Sequence, residues 1–282
     1  MGRFIPGLFA GPGAGIVPPY PGVYWQSSSF YYQASASTTL QIPIAGATQV
    51  GLKAEYASET LTGIWVPDFH LGNNLTLAFG ASLPIQHLRV QGLRTSADTS
   101  DGIGDIMLSP FILGWHDTSG NFLSASLRVF APTGDYDKNS LANIGMNYWT
   151  FTPTLAYTHL DVKNGIDFSV VGGIDVNTKN NATDYTSGAM AHLDATLTKT
   201  FENKIGVGVF GSVLYQISDD KGAVADMLNG FRGRSYAIGP MIKYTAGSRE
   251  APINLSLNWA PEFGGENRLQ GNAVYFNASG KF

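Results

Sequence analysis

The 282 residues carry 17 Lys and Arg against 21 Asp and Glu, a formal net charge of −4, and no cysteine. Without a basic cluster there is no electrostatic footprint for nucleic acid, and without thiols there is neither disulfide scaffold nor cysteine-held metal. Charged residues make up only 13% of the chain, about half the share usual in a soluble domain, yet no apolar run approaches the ~20 residues a membrane helix requires.

Residues 1–21 stand apart. Prolines at 6, 12, 18, 19 and 21 exclude both helix and ladder strand. Arg3 is the only charge, and Phe4, Ile5, Leu8, Phe9, Ile16 and Val17 are too apolar for a free linker. Residues 1–21 are therefore expected to pack in or under the remaining domain, 22–282, with Arg3, Phe4, Leu8 and Phe9 as plug contacts. Met1-Gly2-Arg3-Phe4 running straight into this segment is what a mature exported chain is expected to show.

From residue 22 the pattern has a period of two, the signature of strands with one dry face. Thr150, Thr152, Thr154 and Thr158 alternate with Trp149, Phe151, Leu155 and Tyr157; His192, Asp194, Thr196 and Thr198 alternate with Leu193 and Leu197. The expected strands are 22–33, 48–66, 73–90, 102–116, 121–133, 146–160, 165–178, 186–200, 204–218, 231–246, 251–263 and 268–282. In 48–66 the apolar face changes near Ser58, which reads as a bulge. Tight turns at 117–120, 161–165, 201–204 and 247–250 alternate with longer links near 91–101, 134–145, 179–185 and 219–230. Short turns at one end and long loops at the other mark a bacterial membrane barrel. The last strand alternates up to Phe282 and resembles the closing strand of an outer-membrane barrel, whose assembly machinery reads such an aromatic end. That resemblance puts Phe282 and the short turns on the periplasmic side.

Local chemistry is sparse. Gly206-Val207-Gly208-Val209-Phe210-Gly211 matches G-x-G-x-x-G but lies within a strand, where no helix follows to meet a phosphate. No two of His70, His87, His116, His159 and His192 have a metal spacing. His116, Asp117 and Ser119 form the most enzyme-like cluster, in a tight turn. Parity puts Asp105, Arg128, Asp167, Asp175, His192, Asp194 and Lys243 in the lumen, where charge escapes the cost of facing lipid. Met107, Phe111, Leu113, Phe130, Met190, Phe210, Leu214 and Met241 share that inward face. An inner wall mixing aromatics, methionine and a few charges suits a hydrophobic or amphipathic small molecule, or packing against residues 1–21.

Several segments together resemble one family. Residues 6–32 read PGLFAGPGAGIVPPYPGVYWQSSSFYY; later come Gly102-Ile103-Gly104-Asp105, Gly114-Trp115 and Phe130-Ala131-Pro132-Thr133-Gly134-Asp135-Tyr136. These are similar to the outer-membrane channel family associated with the meta-pathway of phenol degradation. The residues and the resemblance together predict an all-β, transmembrane antiparallel β-barrel of about 12 strands with a Gly/Pro-rich N-terminal segment packing in or under it. The expected function is passive diffusion of small hydrophobic or aromatic molecules across a bacterial outer membrane, without catalysis, metal or cofactor. The substrate path would be Asp105, Met107, Phe111, Arg128, Phe130, Asp167, Asp175, Met190, His192, Asp194, Phe210, Met241 and Lys243. Expected partners are membrane lipids and lipopolysaccharide, the assembly machinery at Phe282, and the substrate, with the channel a monomer. Two other classes are a hydrophilic, ion-conducting porin and an outer-membrane lipid-modifying enzyme.

Overall fold

The computed structural model describes residues 3–44, 47–69, 71–72, 74–248 and 251–282. In chain order the strands are β1 (Gly22–Ser35), a small hairpin of β2 (Ile42–Ile44) and β3 (Ala47–Gln49), β4 (Lys53–Val66), β5 (Leu75–Gln91), β6 (Asp98–Ile103), β7 (Met107–His116) and β8 (Asn121–Phe130). They continue as β9 (Thr150–Asp161), β10 (Ile166–Asn177), β11 (Met190–Thr200), β12 (Ile205–Gln216), β13 (Arg234–Gly247), β14 (Pro252–Glu266) and β15 (Gln270–Lys281), with a one-turn helix, α1 (Ala223–Met227), before β13.

Except for the hairpin, each strand pairs antiparallel with its neighbour. β1 pairs with β15 from Tyr24–Lys281 to Ser35–Gln270, so the sheet closes. β6 and β7 both pair with β5 and form one wall strand interrupted at residues 104–106, which leaves twelve positions around the barrel. Closure gives the wall no free edge, the condition for a sheet to stand in hydrocarbon. The outward rows are apolar nearly throughout, with Phe151, Leu155, Leu193, Leu197, Val207 and Val209 all exposed, a surface suited to lipid rather than water.

The outward row of β1 and β4 holds an exception. Glu59 lies opposite Ser29, and its carboxylate accepts hydrogen bonds of 2.5 Å from the Ser27 and Ser29 hydroxyls. Alternation puts this group outside, between Trp25 and Tyr31 of the same row. A carboxylate there is costly, and the two serines reduce that cost.

Four details differ from the sequence expectations. The link at 91–101 is shorter, because β5 runs to Gln91 and β6 starts at Asp98. No register shift occurs at Ser58: β4 pairs continuously with β1 and β5. The apolar face changes there because the inner wall near the loops is itself dry, with Ala54, Leu52 and Ile42 buried beside the hairpin. The strands expected at 146 and 186 begin at Thr150 and Met190. Asn147 has φ 57°, and the Gly188 and Ala189 N–H groups bond Asp220 and Ser218, so both segments serve loops. The fourth is Phe111. The register shifts between Leu108 and Phe111, where Pro110 has no N–H to donate. The extra residue inverts parity, so Phe111 and Leu113, expected in the lumen, face outward, each 39% exposed. Arg249 and Glu250 of the expected last turn, and His70, lie outside the described residues.

Candidate functional site

Residues 3–17 cross the lumen, and the inner wall supplies their hydrogen bonds. The segment has no regular structure, so its backbone groups need partners from elsewhere. Ser169 and Thr158 hydroxyls accept the Gly13 and Gly15 N–H groups at 3.0 and 2.9 Å. Asn258 donates to the Ala10 carbonyl at 2.8 Å and Tyr275 to the Pro6 carbonyl at 2.9 Å. Asp194 accepts from the Gly7 and Phe9 N–H groups at 3.3 and 2.9 Å. The contact is close enough to demand glycine. A Cβ on Gly15 would lie 2.7 Å from the Thr158 backbone nitrogen.

The leading residues end near the loops. Arg3 forms an ion pair of 2.7 Å with Asp105 and donates to Thr150 Oγ1 and the Tyr148 carbonyl at 2.7 and 2.8 Å. Asp105 points inward because the wall strand breaks there. Its carboxylate also accepts from the Gly134 N–H at 2.9 Å and the Met146 N–H at 3.0 Å. Gly134 packs backbone to backbone on Gly104 and Gly145, with no room for a Cβ. The Gly102–Asp105 and Pro132–Asp135 motifs thus meet in one latch, joining a wall strand, the long loop before β9 and the N-terminal segment.

Nearby, Phe4 stacks on His192 with ring centroids 4.2 Å apart, and the Arg128 guanidinium lies 3.7 Å from the centroid of Phe9. His192 comes no closer than 3.7 Å to Asp175, and Lys243 is 3.9 Å from Asp167. Thr152 donates to Asp175 at 2.7 Å.

The segment leans on β9–β14 and on Tyr275 of β15 and leaves the opposite side of the lumen open. There a cavity of about 540 Å³ runs between the segment and β1, β4, β5, β7, β8 and β15, up to the loops before β9 and β11. Its wall is apolar and aromatic toward the loops, with Phe30, Tyr56, Leu88, Phe130 and Leu141, and hydroxyl-rich farther down, with Ser28, Ser58, Thr60, Thr62 and Ser82. Among the expected path residues, Asp105, Met107, Arg128 and Phe130 line it, as do Arg3, Leu8 and Phe9 of the segment. Asp167, Asp175, Met190, His192, Asp194, Phe210 and Met241 are buried on the covered side, where Lys243 also lies beside Asp167. Arg268, Tyr148, Tyr32 and Tyr56 line the cavity without having been expected there. Tyr32 and Tyr56 are legible from the parity of β1 and β4. Arg268 is not, because it folds inward from the turn between β14 and β15.

The enzyme-like cluster is a capped turn. Asp117 accepts from the Ser119 and Asn121 N–H groups at 2.8 and 2.9 Å and from the Asn121 side chain at 2.7 Å, which holds its carboxyl below the usual range. The G-x-G-x-x-G stretch lies inside β12 (Ile205–Gln216). Among the described residues, no group of three or more His, Asp or Glu could hold a metal ion.

The fold is that of known outer-membrane barrels. An outer membrane channel from Pseudomonas putida F1 superposes with a TM-score of 0.72 at 15% identity, covering 99% of this chain and all of that one. The β domain of the Bordetella autotransporter BrkA gives 0.52 at 9% identity, over 93% of this chain and all of that one. The translocator domain of NalP from Neisseria meningitidis gives 0.53 at 10% identity, over 95% and 91%. No curated protein sequence matches the chain. The family model described as "Putative MetA-pathway of phenol degradation" matches residues 31–278, nearly the whole barrel including the latch motifs, and the chain belongs to that family.

Proposed function

We propose that the protein is an outer-membrane channel through which small hydrophobic or aromatic molecules diffuse passively, without catalysis. The observation that carries this reading is the cavity of about 540 Å³ beside residues 3–17. That volume lies in the range of small-molecule sites, and its aromatic upper wall matches how such sites bury apolar ligands. The membership in a family tied to phenol degradation and the P. putida channel's shared fold agree with it. Residues 3–17 act as a plug that narrows the lumen, and the latch at Asp105 holds that plug to the outer loops. The path is the open side, with Met107, Arg128 and Phe130 on the wall and Leu8 and Phe9 on the plug. On the covered side Asp194 and His192 of β11 hold the plug, Asp167 and Asp175 of β10 bond the wall, and none of them touches the passing molecule.

The barrel is a monomer that sits in lipid and lipopolysaccharide, with Phe282, 83% exposed, as the aromatic end read by the assembly machinery. Proteoliposome uptake tests the function: toluene-like solutes should enter faster than sugars of similar size. Faster sugar entry would assign the protein to the hydrophilic porins.

A further inference from the structure

Of the charged side chains that line the cavity, three are guanidinium groups, Arg3, Arg128 and Arg268, and one is a carboxylate, Asp105. Arg3 and Asp105 are committed to each other and to the latch. The other two arginines are not so matched. Among the described residues no carboxylate oxygen comes within 4 Å of either, and Arg128 Nη1 and Arg268 Nε are buried with no hydrogen-bond partner. Arg268 gives Nη2 to the Phe4 carbonyl at 2.9 Å, and Arg128 rests its face on Phe9. Arg128 as a whole residue is half-buried and lines the cavity.

The nearby acids, Asp175, Asp194 and Glu262, form no ion pair with them within 4 Å. Asp194 accepts from the plug N–H groups, Glu262 accepts through Oε2 alone from Tyr32 at 2.7 Å and the Gly271 N–H at 2.9 Å and keeps Oε1 without a partner, and Asp175 accepts from Thr152. None of the three lines the cavity. A guanidinium cannot shed its proton, and burying one without a counter-charge is costly. Among the side chains that line the cavity, guanidinium groups outnumber carboxylates and stand beside Phe30, Tyr56 and Phe130, so this lining is basic and aromatic at once.

We infer that this cavity binds small aromatic carboxylates, with the ring against Phe30, Tyr56 and Phe130 and the carboxylate on Arg128, supported by Arg268. The planar fork of Arg matches a carboxylate in two parallel hydrogen bonds, while a neutral hydrocarbon would leave both arginines unmatched. This inference rests on the channel reading above and narrows it from apolar solutes in general to those carrying an anionic oxygen group.

The test uses the full-length protein in detergent and in liposomes, with benzoate, benzyl alcohol and toluene as probes. In calorimetric titrations benzoate should bind at least roughly tenfold more tightly than benzyl alcohol, a difference of about 1.4 kcal/mol. Arg128→Met should remove that preference, and Arg128→Lys should restore part of it. Arg128→Gln serves if the Met variant loses the heat-modifiable mobility of a folded barrel. Equal binding of the two probes, or an unchanged preference in the Met and Gln variants, overturns the inference. If toluene enters liposomes while benzoate shows no preference, the carboxylate site fails and the channel stands. If neither solute enters faster than a sugar, the channel reading falls and takes this inference with it.

Discussion

The two sides of the lumen are built from the same kind of strand but carry different loads. On β9–β14 the inner row mixes Thr, Ser, Asp and Asn with Met190, Phe210, Leu214 and Met241, and it is bonded to residues 3–17 at Ser169, Thr158, Asp194 and Asn258. On β1–β8 hydroxyls and aromatics of comparable size face a cavity. Inward polarity alone therefore does not mark a path for solute. It marks either a path or the hydrogen-bond partners of an irregular segment, and only the position of that segment tells which.

The comparison breaks most directly if the plug goes. Deleting residues 1–17 should raise single-channel conductance in planar bilayers severalfold, because it removes the segment that fills the β9–β14 side; unchanged conductance would mean that residues 3–17 do not limit the lumen. Next comes the latch: Asp105→Ala leaves Arg3 and two loop N–H groups unmatched, a loss expected to reach about 3–5 kcal/mol for a broken buried pair. Denaturant unfolding should register it, and conductance should become noisier as the plug's leading end comes loose. Gly15→Val is a local probe of the covered side, since its side chain would meet the β9 backbone. Overpacking of this kind costs about 1–3 kcal/mol, and the variant should conduct more than wild type with the barrel intact.

On the open side, Thr62→Trp should slow solute uptake in liposomes while leaving unfolding nearly unchanged, because it fills space rather than replacing a plug contact. A stability loss like that of the Asp105 variant would mean that the two sides are not distinct. The smallest effect is expected outside the lumen. Glu59→Leu removes a carboxylate from the lipid-facing row, where acids cost less than the ~2–4 kcal/mol of Arg or Lys, and should stabilise the folded barrel by about 1 kcal/mol or less. A marked destabilisation would show that Ser27, Ser29 and Glu59 brace β1 against β4.

Much of the wall was readable from alternation. The Thr row of β9 and the His192–Thr198 row of β11 have the faces that their period of two demands. Parity fails where the backbone breaks step. Pro110 and the shifted register of β7 turn Phe111 to lipid, and nothing in a two-residue period announces that slip. The cavity was only half legible for a related reason. Met107, Arg128 and Phe130 follow from parity, but Asp105 turns inward where the wall strand is interrupted and Arg268 comes from a turn, and neither a break nor a turn carries a face.

The sequence by itself determined that this chain is a closed barrel: low charge, alternating rows, short turns against long loops, and a proline-punctuated leader too greasy to stay in water. These are local or periodic properties, and lipid and backbone hydrogen bonding leave them one outcome. Only the tertiary structure decided where the leader lies. Its bonds to Asp194, Asn258 and Tyr275 span more than 180 residues of chain, and their choice of one side over the other depends on close approaches such as Gly15 against β9. That choice divides the inward residues into those that hold the plug and those that face the cavity, and it leaves Arg128 on the cavity wall beside Phe9 of the plug.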